Sequence, residues 1–128
     1  MVNGTPRPQA RYIQLSMAGI AEPLQVADLT GSVVGVEFDQ RPPEGGVDES
    51  TLGSVPDRPN ALVVGWPGGC EQRVDIAIEP APEAGAGQSI TVKILLAVAP
   101  CPVDVSRRVI VVFAQPVRAL DYAFNVVN

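Results

Sequence analysis

The chain has 128 residues, a formal net charge of −5, no histidine, 46% hydrophobic residues and only 18% charged ones. This length suits one domain, able to bury roughly two thirds of its unfolded surface, and the composition is globular and not that of a disordered chain. The lack of histidine excludes Ser-His-Asp and Cys-His catalysis and all histidine-ligated metals. The lack of a basic stripe argues against nucleic acid as a partner.

Valine (20 residues) and isoleucine (7) dominate the apolar content. Branching at Cβ suits both to the pleated surface of a strand. Thirteen Pro and twelve Gly break the apolar runs into short pieces, which argues against long helices. Residues 1–10 are polar and turn-prone and read as a disordered, linker-like N-terminus. Residues 11–128 read as a single domain.

Taken in order, the first predicted strand runs from Tyr12 to Ala18, with Ile13, Leu15 and Met17 on one face. Leu24 to Leu29 is a weaker strand, and Ser32 to Phe38 carries Val34, Val36 and Phe38 beyond Gly31. Residues 39–60 then join two strands with four Pro, three Gly, five acids and two Arg. So long a connection reads as a surface excursion with a role in contacts, and a short helical turn can start at Asp48, through Leu52. Ala61 to Trp66 is a continuous apolar run, as expected of a central strand buried on both faces.

Glu71 to Glu79 and Ser89 to Ala99 alternate clearly and form a predicted hairpin around the turn-rich run from Pro80 to Gln88. Matching their apolar faces sets Ile78 opposite Val92 or Ile94. Arg107 to Gln115 is the next strand. After Pro116, a kink or break, the segment from Val117 to Val127 alternates through Leu120, Tyr122, Phe124 and Val126 as a last, edge strand. Seven or eight short strands joined by Pro/Gly turns predict an all-β fold, a single antiparallel β-sandwich of immunoglobulin-like or related type.

Few residues carry a chemical signal. Asp75 and Glu79 are a candidate carboxylate pair for a hydrolase, but they flank core positions on the solvent face of a strand. Lys93 is the one lysine, and its nearest serine, Ser89, stands about 13 Å away along the same strand, beyond hydrogen-bond reach. Asp39, Glu44, Asp48, Glu49 and Asp57 have the oxygen ligands calcium prefers, without the EF-hand order. They are retained as candidate interaction residues of the loop. Trp66 can stack on a sugar with Tyr12 or Tyr122, or anchor a partner. A lone tryptophan ending a buried strand is better explained by core packing. No residue pattern calls for a cofactor or a metal.

Cys70 and Cys101 lack the Cys-x-x-Cys spacing of a redox pair, and with no histidine a zinc site would be unusual. Buried thiols and a disulfide remain. Folding the predicted hairpin sets residue 70 opposite residues 100–102, one position from an ideal match, and this favours a Cys70–Cys101 disulfide. A disulfide in turn implies an oxidising compartment.

One resemblance bears on location. Leu62-Val63-Val64-Gly65-Trp66, Gly68-Gly69-Cys70, the Ile76/Ile78 and Ile90-Thr91-Val92 strands, Cys101-Pro102 and the run from Arg108 to Val117 form one pattern. Over residues 61–117 this resembles uncharacterised extracellular β-domains of bacterial secreted proteins and lipoproteins. The resemblance implies an exported, disulfide-bonded domain that is extracellular, periplasmic or anchored to the cell envelope. It implies no catalytic or ligand residues. The expected role is therefore non-enzymatic: structural, or contact with a protein or envelope component through sheet edges or the 39–60 loop. A small-ligand or glycan-binding module is the alternative. No segment is expected to insert into a membrane, and the residues do not specify an oligomeric state.

Overall fold

The computed structural model describes residues 11–16, 20, 22–38, 51–68, 71–80, 88–96 and 105–127. Among them are nine strands: β1 (Arg11–Leu15), β2 (Leu24–Asp28), β3 (Val33–Phe38), β4 (Thr51–Val55), β5 (Arg58–Gly68), β6 (Glu71–Pro80), β7 (Gln88–Leu96), β8 (Val105–Phe113) and β9 (Tyr122–Val127). The fold is all-β. Its only helical element among these residues is a 3-10 turn, Ala119–Asp121, before β9.

The strands form two sheets, ordered β1-β2-β6-β7-β9 and β3-β8-β5-β4. One core draws on both. Leu24, Val26, Val74, Ile76, Ile78, Ile90 and Val92 from the five-stranded sheet join Leu62, Val64, Trp66, Val109, Val111 and Phe113 from the four-stranded one. Burial of β-branched and aromatic side chains from two alternating faces is the main driving force that such a composition provides.

Strand β5 matches its expectation as a central strand. Leu62, Val64 and Trp66 face the shared core, while Ala61 and Val63 face the other way, into a smaller cluster with Val55 and Ile110. Its proline at 67 pairs with Ser106 of β8. It lies past Gly65, and among the described residues no residue of β4 stands opposite it.

Four expectations are corrected. First, the sheets are not purely antiparallel: β2 pairs with β6 in parallel, and so does β7 with β9. Second, the 39–60 connection contains a strand, β4, and the start of β5. Thr51 and Leu52 are extended, and so do not complete a helical turn from Asp48. The β4–β5 turn is Pro56-Asp57, with Asp57 at φ 64°, the geometry that a type II turn demands at its third residue and that Asp tolerates better than most side chains.

Third, the β6–β7 hairpin forms in a different register, with Ile78 opposite Ile90, Ile76 opposite Val92 and Val74 opposite Ile94. A shift by two residues keeps apolar faces together, so alternation cannot separate these registers. Fourth, the last predicted strand is shorter. Leu120 sits in the 3-10 turn and is 92% exposed, outside the inward row of Tyr122, Phe124 and Val126.

Candidate functional site

The most distinctive constellation lies where β5 passes into β6. The Trp66 side chain is wholly buried. Its indole N–H donates to Glu71 Oε2 at 2.9 Å. Arg107 Nε donates to the same oxygen at 3.2 Å, and Nη2 reaches Oε1 at 3.5 Å. The Glu71 side chain is 1% exposed and that of Arg107 12%. A carboxylate so far from water must be paired and hydrogen-bonded; here a guanidinium supplies the charge and the indole a further donor.

Gly68 makes this closeness feasible. A Cβ there would stand 2.2 Å from Glu71 Oε2 and 2.5 Å from Arg107 Cγ. The residue between Trp66 and the carboxylate must therefore carry no side chain.

A second buried carboxylate, Asp28, ends β2. Its Oδ1 accepts from Thr30 N at 3.0 Å and Thr30 Oγ1 at 2.6 Å, and its Oδ2 accepts from Val33 N at 2.8 Å. Thr30 Oγ1 also bonds Ser32 Oγ. With Gly31 at φ 72°, these contacts shape the Asp28–Val33 passage from one sheet to the other. Nearby, Tyr122 packs at 5.8 Å between ring centroids against Phe113. Burial, and then the charges of Asp121 and Asp28, raise its pKa above the usual 10.0.

Both carboxylates are therefore consumed in holding the fold, with no face open to a substrate. Asp75 and Glu79 lie on the outer face of the five-stranded sheet, opposite Lys93 and Ser89, and Asp75 pairs with Arg73 at 3.1 Å. They are not brought together by the fold. Trp66, a candidate for sugar stacking or partner contact, offers no face to solvent. Tyr12 is exposed on β1 and Tyr122 is half-buried on β9, at opposite edges of one sheet. The aromatic platform expected of a glycan module is not assembled from these three residues.

Of the loop acids, Asp57 is at the exposed β4–β5 turn. Asp39, Glu44, Asp48 and Glu49 lie outside the described residues, as do Cys70, Cys101 and residues 1–10. Among the described residues no group of three or more acids or cysteines is placed to hold a metal, and no helix is long and apolar enough to cross a membrane.

Sequence reasoning missed Glu71 as a core residue. Alternation back from Ile78, Ile76 and Val74 puts Glu71 on the solvent face. An irregularity between Glu71 and Arg73 reverses that phase. The chain matches no family model, and no curated protein and no solved structure is significantly similar to it.

Proposed function

We propose that this chain is a β-sandwich domain, immunoglobulin-like or of related arrangement, from a bacterial secreted or cell-envelope protein, with a structural or protein-contact role. The observation that carries the reading is the use made of the two buried carboxylates: each is enclosed by donors from the fold itself. The chain spends its buried polar groups on rigidity and sheet-to-sheet docking, as a scaffold does.

Export is argued from the cysteines and from the resemblance over residues 61–117. The observed hairpin register no longer sets residue 70 opposite 100–102, since Glu71 already pairs with Leu96. The topology supplies a different support. Residues 69–70 connect Gly68 to Glu71, and residues 97–104 connect Leu96 to Val105. Gly68 pairs with Val105, and Glu71 with Leu96. The four described strand ends that the two cysteine-bearing connections join are thus paired with one another, and this supports the reading that Cys70 and Cys101 form a disulfide.

Thiol titration of the denatured, unreduced protein tests this. No free thiol is expected, and reduction should cost about 3–4 kcal/mol for a closed loop of about 30 residues. Two titratable thiols would remove the case for export. The contact role is tested by capture from envelope extracts with the intact domain and with residues 39–50 deleted. Failure of both to retain a partner counts against it.

A further inference from the structure

We propose that β9 is a self-association edge, pairing antiparallel with β9 of a second copy of this chain so that the five-stranded sheets join into one. The inference rests on no assumption about export. It begins with a contrast among the four edge strands. β1 opens on the charge of Arg11, β3 carries Glu37 and a bulge at Val33/Gly35, and β4 has a bulge at Ser54/Val55. Charges and bulges are among the devices by which sheet edges avoid pairing with other chains. β9, Tyr-Ala-Phe-Asn-Val-Val, has none of them, and it pairs with β7 in unbroken register from Tyr122 to Val127.

The core is also left unsealed along this strand. The inward residues of β6 and β7, such as Ile76, Ile78, Ile90 and Val92, are at most 1% exposed. Those of β9, Tyr122, Phe124 and Val126, are only half-buried, and Leu120 and Val127 stand exposed beside them. Among the described residues no strand pairs with the outer edge of β9.

A second copy suits this edge for a geometric reason. Directly opposed residues in an antiparallel pair point to the same side of the sheet. A two-fold axis perpendicular to the sheet, passing midway between the two copies of Phe124 or of Asn125, therefore sets the row Tyr122, Phe124, Val126 against the same row of the partner. Aromatic and β-branched side chains then meet across the strands, a favourable combination. Charge does not oppose the approach locally: Asp121 is paired with Arg118, and the residue across from Val127 is Lys93. The net charge of −5 acts at longer range, so added salt should favour the dimer. Six paired residues bury less than the roughly 1,600 Å² of a standard stable interface, which makes the dimer a weak, concentration-dependent one.

Sedimentation of the full chain from about 1 μM to about 1 mM should show a monomer–dimer equilibrium that strengthens in salt. Amide exchange should slow with concentration over residues 122–127. Ala123→Lys with Asn125→Lys places charges at two exposed positions, so the fold, checked by circular dichroism and melting temperature, should persist while the dimer weakens at least tenfold. A wild-type monomer throughout that range overturns the proposal. So does a dimer whose β9 amides are unaffected, or one that the folded double-lysine variant forms equally well.

Discussion

Glu71 and Asp28 solve the same problem at opposite ends of β6, and they solve it differently. Glu71 is the first residue of that strand, and Asp28 pairs with Ile78 near its last. Asp28 is held by groups two to five residues further along its own chain. Glu71 belongs to the five-stranded sheet, yet the donors Trp66 and Arg107 belong to β5 and β8 of the other. The Asp28 turn can be organised as soon as the chain leaves β2. The Glu71 cluster exists only once the two sheets have docked, so it reports on tertiary structure in a way that Asp28 does not.

The comparison is sharpest in Glu71→Ala. Removing the carboxylate leaves Arg107 and the Trp66 indole without it in a nearly dry site, and about 3–5 kcal/mol of stability should be lost. Urea denaturation followed by tryptophan fluorescence measures both the loss and the changed surroundings of Trp66. A cost under about 1 kcal/mol would mean the cluster is solvated.

Asp28→Ala should cost less, about 1–3 kcal/mol, because the lost bonds include one to the buried Val33 N–H. If Asp28→Ala proves costlier than Glu71→Ala, the distinction between local and docking carboxylates fails. Gly68→Ala sharpens it further. The added methyl must displace Glu71 or Arg107, at about 1–3 kcal/mol. Combined with Glu71→Ala, most of that cost should vanish, a coupling that a double-mutant cycle measures directly.

Tyr122 gives a pH test of the Asp28 end. Its folded pKa lies above the unfolded value, so the folded state binds more protons. Stability should be unchanged below the ordinary tyrosine range and fall as the pH rises above about 10. Tyr122→Phe should flatten that part of the curve, and ultraviolet titration of the phenol follows the same group. The smallest effect belongs to the exposed pair of Arg58 and Glu37. Glu37 holds the Arg58 pKa above its usual value, chiefly by hydrogen bonding, yet Glu37→Gln should leave the denaturation midpoint unmoved, since solvent screens such a pair.

The all-β class, the two-faced burial of Ala61–Trp66 and most strands were legible in the sequence. Alternation and β-branching are local properties, and proline and glycine mark turns wherever they fall. The structural role of Trp66 was legible for the same reason, as the end of a buried run. β4 was hidden because Gly53 and Ser54 dilute its pattern, leaving Leu52 and Val55 as single apolar residues on opposite faces. Glu71 was hidden by the break of phase between it and Arg73.

Hairpin register, the two parallel pairings and the meeting of Trp66, Glu71 and Arg107 were decided by tertiary structure alone. A shift of two residues, or a change of strand neighbour, leaves every side chain on the same face, so the one-dimensional pattern is blind to both. Which strands become neighbours depends on how two complete sheets pack around a common core, and that energy belongs to no single segment of the chain.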